Sequence, residues 1–312
     1  MVLSAQSAIA QALTGGAVVV DCSELGKLAL TGDEAAAALS AVVTNDVEAL
    51  AIGEGLYAAV LTSKGGMLGD LRVLRAADEL LLDTQRSALQ AVFDVIRHGL
   101  LGHRAELHKR TLECGLLRLA GPQARELAGV GTLPDAEHAT MPATVGGCAV
   151  LAVATDVGVD LLCAAADTAA VHMALVDAGA LAAGEDALEQ LRIERGRPRF
   201  GVDITAGVIP QEAGLNERAV SFTKGCYVGQ ETVARLHYKG RPNRHLRGLR
   251  LSGTAAAGTP VVLEDREVGT LTSVTDSPVF GPIGLALLRR EAEPGMTVAV
   301  GDATATVVDL PF

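Results

Sequence analysis

Eight consecutive residues, Lys224-Gly225-Cys226-Tyr227-Val228-Gly229-Gln230-Glu231, bring together an ammonium, a thiol, a phenol, an amide, a carboxylate and two glycines. Apolar core is not built from such a mixture. A loop that contacts a ligand or carries a nucleophile is. Cys226 follows Lys224 closely and precedes a helix expected over residues 230–238. A nearby cation and a helix N-terminus both favour the thiolate. The thiol can ligate an iron–sulfur cluster transiently, react with a one-carbon unit or sense redox state. A lone cysteine argues against a stable cluster held by this chain alone, because such clusters take four ligands. The competing view is a small residue at a turn. Gln230 and Glu231 fall at the helix start, where Glu231 is equally well explained as a capping residue.

The charge around this segment is anomalous. From Lys224 to Arg250 there are seven Lys or Arg against one acid, Glu231, in a chain whose formal charge is −11. A cationic patch on an anionic protein selects a small anionic ligand or a specific anionic surface. Global acidity argues against general nucleic-acid binding. The five cysteines are scattered without a CxxC pair, so neither a zinc site nor a disulfide framework is indicated, and the seven histidines have no metal spacing. A reducing cytoplasm fits this usage. No apolar run approaches a membrane span, and residues 1–16 lack the basic start of a signal peptide. Of eight Phe and Tyr, four (Phe200, Phe222, Tyr227, Tyr238) fall between residues 200 and 238. Phe200 and Phe222 suit either a core cluster or a site. Tyr227, among glycines and polar groups, suits a site.

The elements that must position these groups follow from periodicity. A helix is expected over residues 34–39, with Thr31 or Asp33 as cap. Runs at 56–61 and 67–74, separated by Thr62-Ser63-Lys64-Gly65-Gly66, predict a hairpin, with a third strand at 80–83. Residues 87–100 have helical spacing. A second unit starts near residue 111, with a strand at 116–119, a helix start at Gly121-Pro122, a hairpin at 149–155 and 159–163, and a helix at 168–178. The absence of a regular βαβ beat predicts α+β with antiparallel sheets. On a helix over 185–195, Ala187, Leu191 and Glu194 share one face, which turns Glu194 inward. From about residue 244, short apolar runs recur between Gly, Pro and Asp, the pattern of a small antiparallel barrel.

These motifs resemble the YgfZ-type folate-binding proteins, paralogues of the aminomethyltransferase (T-protein) of the glycine cleavage system. The eight-residue segment carries the resemblance. Leu191-Arg192-Ile193-Glu194 with Gly196, Phe200-Gly201 with Asp203-Ile204, and Pro210-Gln211-Glu212-Ala213-Gly214-Leu215 support it. So do Gly32-Asp33, Asn45-Asp46-Val47, Gly65-Gly66-Met67-Leu68-Gly69-Asp70 and the terminal Leu310-Pro311-Phe312. The resemblance covers essentially the whole chain. It implies a ring of two α+β modules and a C-terminal barrel: residues 1–110 completed by part of 184–243, residues 111–183 as a ferredoxin-like module, and residues 244–312 as the barrel.

The resemblance further implies tetrahydrofolate or another reduced folate as cofactor. Glu194 would accept two adjacent N–H donors of the pterin edge, and its place on the apolar stripe favours this over a surface pair with Arg192 or Arg197. Arg192, Phe200, Glu212 and Gln230 join it as candidate folate contacts, and a loop-capping role suits Glu212 as well. Tyr227 can stack on the pterin. Arg235, Lys239, Arg241 and Arg244 would hold a polyglutamate tail, whereas Arg247 and Arg250 read as a solvated basic face. Cys226, Tyr227, Lys224 and Asp70 form the candidate catalytic set. T-proteins carry two adjacent acids at the Asp70 position; here the first is Gly69, which weighs against transfer chemistry. The leading expectation is a folate-binding accessory protein that supports iron–sulfur cluster assembly or repair, and thereby iron–sulfur tRNA-modifying enzymes. Its partners would be transient: assembly proteins or client enzymes. The alternatives are a folate-dependent aminomethyltransferase or demethylase, and an RNA-binding module.

Overall fold

From residue 5 to residue 312, the range described by this computed structural model, the chain begins with α1 (Ala5–Gly15) and β1 (Val18–Asp21). Residues 1–4, part of the stretch read for a signal peptide, lie outside the described residues. Next come β2 (Gly26–Thr31), α2 (Ala35–Ser40), the hairpin β3 (Gly55–Leu61) and β4 (Met67–Arg75), β5 (Glu79–Thr84), α3 (Leu89–Gly99) and β6 (Glu106–Lys109). They are followed by β7 (Cys114–Ala120), α4 (Ala124–Leu127), β8 (Thr140–Val145), β9 (Cys148–Thr155), β10 (Gly158–Ala164), α5 (Thr168–Asp177) and β11 (Leu181–Ala182). Three helices, α6 (Glu185–Glu194), α7 (Asn216–Ala219) and α8 (Gln230–Lys239), lead into the last six strands. These are β12 (Arg244–Leu251), β13 (Pro260–Leu263), β14 (Arg266–Ser277), β15 (Gly281–Arg289), β16 (Thr297–Val300) and β17 (Ala303–Val308).

The class is α+β, with two sheet modules and a barrel. Five strands pair in the order β3-β4-β5-β2-β6 and six in the order β11-β1-β7-β10-β9-β8. The sheets do not divide the chain in sequence order. β1 pairs with β7 through Val19↔Leu119 and runs parallel to β11, so the N-terminal segment contributes to both sheets. The last six strands close into an antiparallel barrel, sealed where β12 meets β17 at Gly248↔Val308. Every apolar run that predicted a barrel strand lies in one of these six, because alternation on a closed sheet puts each second residue in the core. Leu249, Val261, Leu271, Leu288, Val300 and Val307 fill that interior.

The cap of α2 differs from expectation. Thr31 ends β2 and its hydroxyl meets His108 Nε2 at 2.9 Å; neither it nor Asp33 caps the helix. Glu34 holds the cap position, and its carboxylate takes the N–H of Arg104 at 2.6 Å.

The chain falls into two compact units: residues up to 41, 46–58 and 71–188 form one, and residues 42–45, 59–70 and 189–312 the other. The first contains an ion cluster that no motif announced. Asp160, fully buried on β10, accepts from Arg118 at 2.7 Å through two nitrogens and from Arg72 at 2.8 Å; Arg72 also pairs with Asp83 at 2.7 Å. Burial alone would raise the Asp160 carboxyl, but Arg118 and Arg72 outweigh it and hold it down to about 2. The second unit carries the groups singled out for chemistry.

Candidate functional site

The signature loop is fixed by its glycine and its lysine. Gly229 adopts φ +84° as it opens α8, and a Cβ there would meet Thr62 O at 2.5 Å. A side chain at this position is excluded both by conformation and by space. Gly225, in contrast, has nothing within 4 Å of a Cβ. The loop therefore leans on the turn between β3 and β4. On the other side of that turn, Gly66 comes so close to Gly207 that an added Cβ would lie 2.8 Å from its Cα, and Met67 N–H donates to Val208 O at 2.8 Å.

Lys224 is held through backbone carbonyls. Its ammonium donates to Val43 O and Asn45 O, each at 2.9 Å, and lies 5.2 Å from the centre of the Tyr227 ring. These carbonyls sit outside any ladder strand, and a cation with three donors satisfies them. Tyr227 is buried, and burial pushes its phenol up to about 12. Cys226 is exposed, whereas Cys22 and Cys163 are buried and Cys114 and Cys148 are half-buried. Gln230 is the first residue of α8, and its N–H returns to Tyr227 O at 3.3 Å. Asp70 is buried on β4 beside the buried Gly69.

Glu194 closes α6. The helix is anchored by Ile193, which is fully buried against Leu246, Ile283 and Leu285 of the barrel. Glu194 itself is half-buried rather than turned fully inward. Its Oε1 accepts from the Ser277 hydroxyl at 2.6 Å and from Gln190 Nε2 at 3.0 Å. Ser277 in turn accepts the N–H groups of Val279 and Phe280, each at 3.1 Å. This arrangement fixes the carboxylate plane and leaves acceptor capacity on Oε2, which a flat pair of N–H donors can use. Reading residues 185–195 alone gives no sign of Ser277.

Arg192 is committed inside the protein. It donates to Glu189, Asp203, Ser273 and the carbonyl of Arg197, which uses every N–H of the guanidinium. Burial would lower its proton affinity, but Glu189 and Asp203 raise it further. Arg192 thus forms a brace between α6 and β14. Glu212 is similarly engaged: Arg244 grips its carboxylate at 3.1 and 2.9 Å, and Ile209 N–H adds 3.2 Å. The loop-holding role describes Glu212.

Phe200 is buried, with a short bridge to Ile204. Phe222 stacks on His237 with 3.8 Å between ring centres. Arg235, Lys239 and Arg241 are exposed on and just after α8. Arg247 departs from the expected solvated face and pairs with Asp309. Arg250 is exposed and lies over the Phe280 ring at 5.5 Å. Among the described residues, no helix is long and apolar enough to cross a membrane, and no group of three or more His, Cys, Asp or Glu is arranged to hold a metal ion.

Two family profiles match the chain: the GCVT N-terminal domain over residues 4–224 and the glycine cleavage T-protein C-terminal barrel domain over residues 244–312. An aminomethyltransferase of Streptomyces avermitilis is 31% identical, over 96% of this chain and 87% of its own length. A chloroplastic protein of Arabidopsis thaliana named as a transferase is 29% identical, over 96% of this chain and 72% of its own length. The crystal structure of glycine cleavage system aminomethyltransferase T from Bartonella henselae has the same fold: TM-score 0.87 at 24% identity, over 97% of this chain and 88% of the other.

Proposed function

Because this chain belongs to the glycine cleavage T-protein family, we propose that it binds a reduced folate, tetrahydrofolate or a one-carbon derivative, with Glu194 reading the pterin edge. The held carboxylate of Glu194 carries this reading. Ser277 and Gln190 engage one oxygen and leave the other able to accept from the adjacent N–H groups of a 2-amino-4-oxo pterin. Exposed Arg235, Lys239 and Arg241 would attract the carboxylates of a polyglutamate tail. Replacing Glu194 by Gln keeps the shape and exchanges an acceptor for a donor. It should weaken tetrahydrofolate binding by ~1.5–3 kcal/mol. Unchanged affinity by calorimetry would assign the pterin to another group.

The reaction this reading favours is one-carbon transfer of the aminomethyltransferase kind, as the names of the relatives suggest. A reduced folate supplies the nitrogens that accept the carbon. Asp70, a buried carboxylate on β4, is the group of this chain suited to hold or move the accompanying proton. Gly69 leaves it without a neighbouring acid. Formation of methylene-tetrahydrofolate by the wild type, lost in Asp70→Asn, is the expected result. No formation by the wild type in the presence of an aminomethyl donor would discard transfer.

A second reading rests on the exposed thiol of Cys226 in a YgfZ-type signature. A folate-binding accessory protein that supports iron–sulfur cluster assembly or repair, and through it tRNA modification, would use this cysteine at its surface. Its test is complementation in cells. Cys226→Ser should abolish support of iron–sulfur enzymes while tetrahydrofolate binding persists, and a fully active variant would remove this reading.

A further inference from the structure

The second unit contains a cleft of about 260 Å3 that is lined by neither Glu194, Asp70 nor Cys226. Its wall comes from residues 195–198 after α6, residues 211–215, Arg218, the start of β12 and residues 309–311. Four arginines line it, Arg195, Arg197, Arg218 and Arg247, against two acids. Both acids have partners: Glu212 is gripped by Arg244, and Asp309 pairs with Arg247. The charge balance of the wall is positive, and guanidinium groups match oxyanions in geometry as well as charge. The volume is roughly nine times the ~30 Å3 share of a liquid water, which is room for a small organic ion.

Two polar atoms of lining residues sharpen the chemistry. Arg247 Nε and Gln211 Oε1 are shielded from solvent and, among the described residues, have no hydrogen-bond partner. Buried polar groups in native proteins are ordinarily paired. Nε is a donor and Oε1 an acceptor, so one occupant that satisfies both must offer an acceptor oxygen and an N–H or O–H, and the arginines of the wall favour an oxyanion as that acceptor. We propose that this cleft is an anion site for a small organic dianion that also carries a hydrogen-bond donor.

Two sources share that chemistry. A γ-linked glutamyl peptide offers carboxylates and an amide N–H, and a phosphorylated metabolite offers phosphoryl oxygens and a hydroxyl. His245 also lines the cleft. Burial and then Arg247 lower its proton affinity, while Glu212 and Asp309 oppose them; Arg195, Arg197 and Arg218 add positive charge along the same wall. An anion seated there favours the imidazolium.

The test is calorimetric titration of the full chain with γ-glutamylglutamate, with glycerol phosphate and with sulfate, whose charge is constant across the histidine range. Saturable binding of at least one organic dianion is expected, with sulfate affinity rising as pH falls below the ordinary imidazole value of about 6.5. Arg195→Glu, at an exposed position, should weaken binding at least about tenfold, while Arg266→Glu, the same charge change outside the cleft, should leave it unchanged. Gln211→Leu should weaken the donor-bearing ligands and spare sulfate. Tighter binding of the dipeptide identifies a glutamyl source, and tighter binding of the phosphate ester a phosphoryl source. Absence of saturable binding to wild type, or equal losses in Arg195→Glu and Arg266→Glu, would overturn the proposal.

Discussion

Ser277 donates its hydroxyl proton to Glu194 Oε1 at 2.6 Å while its oxygen receives the N–H groups of Val279 and Phe280. A barrel strand thereby sets the orientation of a helix-end carboxylate 83 positions earlier in the chain. Ser277→Ala removes the donor and leaves the carboxylate free to rotate about its side chain. Tetrahydrofolate affinity should fall about tenfold, near the ~1.5 kcal/mol of a hydrogen bond to a charged group. Calorimetry on a variant with an unchanged circular dichroism spectrum checks this. Full affinity would mean that Gln190 alone orients Glu194.

The buried cluster of Asp160, Arg118 and Arg72 should dominate acid sensitivity of the first unit. The Asp160 carboxyl is held down to about 2, below its ordinary 3.8. A depressed carboxylate contributes stability that is fully present above its unfolded value and is lost as pH falls through its folded one. Asp160→Asn leaves the buried Arg72 and the half-buried Arg118 without their shared anion and should cost about 3–5 kcal/mol at neutral pH. Urea denaturation between about pH 5 and pH 2 should show a shallower loss of stability in the variant than in the wild type. An equal slope would assign the acid transition to other carboxylates.

Thiol reactivity should separate cleanly. Cys226 is exposed, whereas burial pushes the Cys22 thiol up to about 12 and also raises Cys114 and Cys163. Under native conditions near neutral pH, iodoacetamide should modify Cys226 before these three. Peptide mapping of a time course reads the order, and first modification at Cys22 or Cys163 would contradict the burial described.

Two glycines of one signature should respond oppositely to the same change. Gly229→Ala forces a Cβ towards Thr62 O in a left-handed conformation and should destabilise the second unit by about 1–3 kcal/mol. Gly225→Ala meets no atom within 4 Å and should stay within about 0.5 kcal/mol of wild type. Denaturant midpoints compare them. Equal losses would place the demand on loop flexibility instead of on the approach to Thr62.

The sequence by itself determined many of the elements and the family resemblance. The barrel strands, the hairpin around Gly65 and Gly66, helix α6 and the Cys226 segment are local patterns, and alternation or helical spacing is a property of neighbouring residues. The tertiary structure alone decided how the side chains are used. Lys224 binds carbonyls 181 and 179 positions away, Arg192 braces Asp203 and Ser273, and Arg72 meets Asp160 across 88 positions. Each of these charges has several possible partners along the chain, and periodicity contains no term that chooses among them. Burial makes the choice: a charge removed from water must find its counterion or its carbonyl wherever the fold brings one within reach.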